Sequence, residues 1–324
     1  MKVWIKVGVS VTLLALIFIL LPWAKVWEAL RHLPPMVWVG VWIGFVLGHA
    51  LGVIKWRLFV NAGRAALSGV DAAQCYAAGL FANLCLPSIV GGDVLRMAMV
   101  GKITKRPEAA LWGGVLDRLT DITAMAILVA VGGLLARDAL PGWGSQVLTV
   151  AIVLAVFGSF VVLPFVLRRP LRWWPRKVRR PVARSLVALR RLARRPLTAM
   201  AGLALSVGIQ SSFVLLNAWL GYHIGVHVPL SVWFLVWPLA KVASLMPISL
   251  GGLAVREASL AALLAPFGVP LALGVLTSLL WQSVLIAGGL CGGLVWLVLS
   301  RRRGSHLRGT LEVAKATRTS TAHV

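Results

Sequence analysis

Residues 87–96 read PSIVGGDVLR, and 160 residues later residues 247–256 read PISLGGLAVR. Both stretches follow the pattern Pro-x3-Gly-Gly-x3-Arg, and both lie within strongly apolar surroundings. Apolar segments interrupted by Gly and Pro at corresponding positions of two halves are the best sequence indication of a transporter's binding site. Pro and Gly-Gly also occur in ordinary turns between helices. The arginine in register after both breaks favours a functional pair over a coincidence.

The composition indicates an all-α polytopic membrane protein. The chain has 324 residues, of which 59% are hydrophobic, well above the value for a soluble domain. Several apolar runs reach the ~20 residues that span a bilayer, and they are continuous rather than alternating, which argues against a β-barrel. The net charge of +24 lies at segment ends and in one loop. It therefore indicates topology, and no nucleic acid is expected as a partner.

Six segments are predicted as full spans, and two further regions carry the Gly-Gly breaks. The spans are residues 7–24, 36–54, 109–135, 145–167, 197–221 and 271–299, and the broken regions are 70–100 and 228–267. Each broken region is predicted as two short helices that meet at the break. The predicted organisation is a first membrane repeat (1–167), a basic cytoplasmic loop (168–196), a second membrane repeat (197–300) and a basic, disordered cytoplasmic tail (301–324).

The distribution of Lys and Arg predicts which loops are cytoplasmic. Residues 168–195 hold twelve basic side chains and no acid. Lys55, Arg57 and Arg64 follow the second span, and three basic residues lie within 102–106. We expect all of these on the cytoplasmic side of a bacterial-type inner membrane, together with both chain termini.

This topology makes each broken region a re-entrant hairpin. Region 70–100 has cytoplasmic charges on both sides, so it should enter and leave from the cytoplasm. Region 228–267 should do the same from the outside, which gives the two hairpins the opposite orientations of an inverted-topology repeat. Because 228–246 is long enough to span alone, eight simple spans are the alternative.

The two arginines predict an anion site between the hairpins. Arg96 and Arg256 follow a helix start by about one turn, where free N–H groups and partial positive charge favour an anion. A guanidinium can hold a phosphate with two hydrogen bonds. The predicted substrate-binding residues are Asn83, Gly91, Gly92, Arg96, Ser249, Gly251, Gly252 and Arg256. In the alternative reading, each arginine only neutralises a neighbouring acid, although adjacent Arg256 and Glu257 are expected to pair poorly.

The chain has only nine acids, and an ionisable residue inside a membrane segment is by default a functional candidate. Asp117 and Asp121 lie one turn apart, so they are predicted to pair with Arg96 or Arg256 or to carry a proton. Lys241 is expected to pair with an acid or to face the cavity. The predicted coupling or ion-pair residues are Asp93, Asp117, Arg118, Asp121, Lys241 and Glu257, and Asn83, Gln210 and Gln282 are expected to hydrogen-bond between helices.

Several catalytic motifs are absent from the sequence. It contains no GxxxxGK[ST] phosphate loop, no HExxH or GxSxG motif and no metal-spaced Cys/His cluster. We therefore expect no ATP hydrolysis, no metal and no cofactor.

Residues 83–96, 116–121 and 246–257 resemble the signatures of the lysylphosphatidylglycerol synthase transmembrane-region family. The last of them resembles the family's Pro-x3-Gly-Gly-x-Gly-x-Arg-Glu pattern. The resemblance implies a membrane fold that moves polar lipids between leaflets. Two departures are an acid, Asp93, that follows two glycines instead of one, and Ala254 in place of the third glycine of the last signature. The aminoacyltransferase domain of the related synthases is missing here, so the chain is not expected to be an enzyme.

The function expected from these observations is a lipid flippase for a polar, phosphate-bearing lipid. One alternative is a membrane transferase that acts on a polyprenyl-phosphate lipid, although the acid-poor loops argue against it. Another is a non-transporting scaffold that acts through the basic residues 168–195. Those residues are also expected to contact anionic lipid headgroups. A second copy of the chain and an enzyme of lipid biosynthesis are the protein partners that the sequence leaves open.

Overall fold

The computed structural model describes residue 31 and residues 33–85, 91–136, 196–244 and 254–321, with side chains as far as Arg301. Within these ranges the chain forms eight α-helices and one short 3-10 helix, and no strand. In chain order the α-helices are α1 (Pro35–Ala62), α2 (Gly69–Cys85), α3 (Gly91–Thr104), α4 (Pro107–Leu135), α5 (Pro196–His223), α6 (Leu230–Ser244), α7 (Val255–Leu264) and α8 (Leu271–Thr321), with the 3-10 helix Ala265–Phe267 after α7.

Four of these helices are long and apolar enough to cross a membrane, namely α1, α4, α5 and the part of α8 up to Arg301. The first three have 28, 29 and 28 residues, or about 42 Å each, which exceeds the ~30 Å hydrocarbon core. Each begins at a proline, whose missing N–H is harmless in a first helical turn. The four match predicted spans 36–54, 109–135, 197–221 and 271–299, whereas spans 7–24 and 145–167 lie outside the described residues.

The two Gly-Gly regions each contain a pair of short helices. Helices α2, α3, α6 and α7 have 17, 14, 15 and 10 residues, so their lengths are roughly 26, 21, 22 and 15 Å. None of the four alone reaches across the ~30 Å core. Residues 86–90 and 245–253, which connect the members of each pair, lie outside the described residues.

Glycines allow the closest approaches between the helices, because they have no side chain to separate the backbones. Gly44 and Gly48 of α1 lie against Leu216 and Phe213 of α5, and Gly289 and Gly293 of α8 lie against Leu84 and Phe81 of α2. A methyl group at any of these four positions would overlap the facing side chain. The glycines therefore determine which face of α1 meets α5 and which face of α8 meets α2.

The helix contacts of the two halves correspond to each other. When α1 to α4 are matched in order with α5 to α8, the contact of α2 with α8 corresponds to that of α6 with α4. The contacts of α3 with α4 and of α7 with α8 correspond in the same way, and α1 contacts its own counterpart α5. Each extensive contact between described α-helices has such a counterpart, so both short-helix pairs lie against the centre of the bundle.

The backbone of α8 is helical as far as Thr321, whereas the sequence predicts disorder over residues 301–324. Extending an existing helix adds one hydrogen bond for each residue fixed, so the helix can continue past its apolar part at little cost.

Gly92→Ala should lower the free energy of unfolding by about 2 kcal/mol or more, because overpacking a close backbone contact is destabilising. The new methyl would overlap the carbonyl oxygen of Gly79 and lie 2.5 Å from Asn83 Oδ1, which would force α3 away from α2. Denaturation of the purified protein in detergent measures the change. Gly208→Ala is the matched control, since nothing lies within 4 Å of its methyl, and it should be neutral or stabilising. Equal effects of the two variants would contradict the close packing of α2 on α3.

Candidate functional site

The described helices surround a cavity of about 330 Å3, and each of the eight contributes at least one lining residue. Arg96, from the first Gly-Gly region, and Arg256, from the second, both line this cavity. So do the aromatic side chains Phe45, Tyr76, Phe213, Trp237 and Trp281. The structure thus brings the two sequence-predicted arginines to one polar space inside an apolar bundle.

The first half of the chain supplies a closed ring of ion pairs. Asp117 of α4 forms an ion pair with Lys55 of α1 at 2.9 Å, and its Oδ2 accepts a hydrogen bond from Arg96 of α3 at 2.7 Å. Asp93 of α3 pairs with Arg96 at 3.0 Å and receives two hydrogen bonds from Arg118, at 2.6 and 2.7 Å. These contacts tie α1, α3 and α4 together around the cavity.

Asp121 closes this ring. Its Oδ1 accepts from Lys55 Nζ at 2.6 Å and from the Ser206 hydroxyl of α5 at 3.0 Å, and its Oδ2 lies 4.0 Å from Arg118 Nη1. The six members of what we call the charge ring are Lys55, Asp93, Arg96, Asp117, Arg118 and Asp121. Because acids and bases alternate in equal number, the ring carries no net formal charge, which favours its burial in low dielectric.

Arg96 is the most enclosed base of the described parts of the two Gly-Gly regions, with only 4% of its side chain exposed. Its guanidinium lies between the rings of Trp56 and Tyr76, 4.9 Å from the centre of each. Such stacking uses the planar face of the group, while its edge binds the two aspartates. Arg96 therefore holds the charge ring together, and its own charge is already matched by carboxylates.

Arg256 is bound differently, although it is the counterpart of Arg96 in the sequence repeat. Its Nη2 donates to Glu257 Oε1 at 2.8 Å and to Gln282 Oε1 at 2.7 Å, and its Nε donates to Ser278 Oγ at 3.1 Å. The expectation that Arg256 and Glu257 pair poorly is wrong. Ser278 on α8 also donates to Glu257 Oε1 at 3.3 Å, so it holds both side chains toward the same helix despite their adjacent positions.

Lys241 of α6 faces the cavity, which is the second of the two arrangements that the sequence leaves open. Its ammonium donates to Gln210 Oε1 of α5 at 2.8 Å and lies 5.0 Å from the centre of the Trp237 ring and 5.7 Å from that of Phe213. Among the side chains that the structure describes, no carboxylate lies within 4 Å of it.

Lys55 is a site residue that the sequence predicts just beyond the end of the second span, and that prediction is wrong. Helix α1 continues to Ala62, and Lys55 is 2% exposed. The local sequence contained a signal, because the apolar pattern resumes after Lys55 with Trp56 and with residues 58–60. A single lysine inside a continuing apolar helix indicates a buried ion pair.

The first glycine pair serves close packing and helix capping. The backbone N–H of Gly92 donates to Asn83 Oδ1 at 2.9 Å, which joins the start of α3 to the end of α2. Gly91 is the first residue of α3. Three other predicted residues, Ser249, Gly251 and Gly252, lie outside the described residues.

Ala254 shows why the family pattern has a glycine at this position. Its φ is +67° and its ψ −36°, just before α7 begins. A Cβ makes positive φ costly, and glycine adopts it without that penalty. The backbone thus adopts the conformation that glycine favours, although this chain carries alanine there.

The family model described as lysylphosphatidylglycerol synthase TM region matches residues 3–293 of the chain. A search of curated proteins found no match. A search of solved structures found none either.

Proposed function

Because the chain belongs to the lysylphosphatidylglycerol synthase transmembrane-region family, we propose that this membrane protein is a flippase, which moves a polar, phosphate-bearing lipid between leaflets. The observation that carries the proposal is the polar cavity at the centre of an apolar bundle, lined by bases of both Gly-Gly regions. A lipid headgroup needs such a polar path, because crossing bare hydrocarbon costs its full desolvation. The lipid tails remain in the bilayer.

The proposed transport uses the two halves as an inverted repeat that opens the cavity to one leaflet at a time. The corresponding helix contacts of the halves support this, as do the four short helices that lie against the cavity. In many transporters one repeat moves against the other around a fixed midplane site. The headgroup then needs only to bind differently in the two states, and no bond is made or broken.

The charge ring and Arg256 have separate roles in this proposal. The ring joins α1, α3 and α4, so it keeps these helices of the first half together while the cavity changes access. Arg256 has 15% of its side chain exposed, whereas Arg96 has 4%. Arg256 is therefore the arginine that is more accessible to a headgroup in the cavity.

The proposed setting is a bacterial-type cytoplasmic membrane with both termini inside. Residues 168–195, which carry twelve basic side chains, would lie on anionic headgroups there, at roughly 1 kcal/mol for each base near the surface. In the proposed function the chain moves the lipid and does not transfer a chemical group to it.

Purified protein reconstituted into liposomes should accelerate leaflet exchange of at least one labelled phospholipid over protein-free liposomes. Exchange is measured by chemical quenching of the label in the outer leaflet. The panel should include anionic, zwitterionic and cationic headgroups. Absence of exchange for every lipid by folded protein, together with product formation from a sugar or aminoacyl donor, would contradict the flippase and favour the transferase.

A further inference from the structure

The charges at the cavity do not balance. The charge ring is neutral, and Arg256 is paired with Glu257. Lys241 then remains as one base without an acid among the described residues. The undescribed connections 86–90 and 245–253 read LPSIV and LMPISLGGL, which contain no ionisable side chain, so they leave this balance unchanged.

Lys241 is therefore a half-buried cation at the cavity with unused capacity to bind an anion. An ammonium group has three N–H donors, and Gln210 Oε1 is the acceptor that the described side chains provide. The rings of Trp237 and Phe213 stabilise the charge only partly. An isolated charge in low dielectric is unfavourable without a partner of opposite sign, so the cavity is suited to a ligand with one negative charge.

Asn217 supplies a second, independent indication of a ligand. It is fully buried and lines the cavity, and its Oδ1 has no hydrogen-bond partner among the described residues. Its Nδ2 donates to the carbonyl oxygen of Phe213 at 2.9 Å. Because a carbonyl only accepts, this bond fixes the amide orientation and leaves Oδ1 as a free acceptor.

Lys241 of α6, through its bond to Gln210, and Asn217 both lie at one face of α5. Asn217 is seven residues, or two turns, beyond Gln210, the residue that holds Lys241, so the two positions are about 10 Å apart along the helix axis. Phe213 lies between them and touches both, through its ring and its carbonyl. A ligand that reaches both groups must carry an anion and, a few bonds away, an O–H or N–H donor.

We propose that the cavity selects a phosphodiester lipid whose headgroup has a net charge of −1 and a free hydroxyl, with Lys241 binding the phosphate and Asn217 accepting from the hydroxyl. This deepens the proposed function and rests on it for the source of the ligand. A lysylated headgroup would bring two ammonium groups to a cavity that already has an excess base, and like charges in low dielectric repel strongly. Phosphatidylglycerol has the required chemistry, and lysyl-phosphatidylglycerol does not.

Binding of short-chain lipids to the purified full-length protein in detergent tests the inference. The probes are phosphatidylglycerol, phosphatidylmethanol (same charge, no hydroxyl), phosphatidylethanolamine (zwitterionic), lysyl-phosphatidylglycerol (cationic) and soluble glycerol phosphate. Phosphatidylglycerol should bind most tightly and the cationic lipid most weakly. Lys241→Gln should weaken phosphatidylglycerol binding by roughly tenfold to a hundredfold and abolish its advantage over the zwitterionic lipid.

Three further variants separate binding from folding. Asn217→Leu should remove the preference for phosphatidylglycerol over phosphatidylmethanol and leave the charge preference intact. Lys102→Gln, at an exposed lysine of α3, is the matched control and should change nothing. Lys241→Gln should not lower the melting temperature, because it removes a half-buried charge that no described carboxylate compensates. Should it fail to fold, Lys241→Met serves as the second neutral replacement.

The outcomes distinguish this inference from the transport proposal. Tightest binding of the cationic lipid, or unchanged selectivity in Lys241→Gln, would overturn the inference. Glycerol phosphate binding as tightly as the lipid would assign the site to a soluble phosphoester and overturn its lipid part. Selective binding of phosphatidylglycerol without leaflet exchange in liposomes would support the headgroup assignment and contradict the flippase. Leaflet exchange that favours the zwitterionic lipid would support the flippase and contradict the headgroup assignment.

Discussion

Asp117→Ala will lower the free energy of unfolding by about 3–5 kcal/mol, the range for breaking a buried ion pair by removing one partner. Asp117 is 3% exposed and forms ion pairs with both Lys55 and Arg96. Without it, the charge ring holds three bases and two acids, and two cations face each other in low dielectric. Chemical denaturation of purified protein in detergent measures the loss.

Two comparisons make this result specific to the ring. Lys102→Ala removes an exposed charge of α3, and it should cost about 1 kcal/mol or less. The double variant Lys55→Met with Asp121→Leu removes one charge of each sign, so it should be less destabilising than Asp117→Ala. If Asp117→Ala cost no more than Lys102→Ala, the ring would not stabilise the fold.

Loss of Arg256 will reduce lipid exchange in liposomes at least about tenfold, the effect of losing one charged hydrogen bond. Arg256 joins α7 to α8 through Ser278 and Gln282 and faces the cavity. Arg256→Ala alone leaves Glu257, which is fully buried, without its cation, and so confounds transport with stability. The informative variant is therefore Arg256→Gln combined with Glu257→Gln, which removes both charges and retains the hydrogen-bonding shapes.

The matched control for this experiment is Arg106→Gln, at an exposed arginine before α4, which should leave exchange unchanged. The double variant should keep a melting temperature close to that of the native protein, because no charge is left unpaired. Native rates of exchange in a folded double variant would refute a role for Arg256 in transport.

The sequence by itself determined the helical membrane class, four spans of the described bundle and the two pairs of short helices. The physical reason is that these features depend only on residues that are close together in the sequence. The length of an apolar run decides whether a helix crosses a bilayer, and Pro and Gly-Gly interrupt a helix wherever they occur. The arginines after the two breaks were identified as site candidates for the same reason, since a charge in an apolar segment is visible without knowing its neighbours.

Only the tertiary structure decided which charges meet. Asp117 had two candidate partners in the sequence and contacts Arg96, not Arg256, because α3 packs beside α4. Lys55 reached the charge ring because α1 extends one full turn and more beyond the apolar run. Arg256 and Glu257 pair because Ser278, some twenty positions further along the chain, bonds both. The excess base at Lys241 and the free acceptor at Asn217 likewise depend on which side chains from different helices meet at the cavity. Ion pairs and hydrogen bonds act over a few ångströms in space, so residues that are distant in the chain determine them.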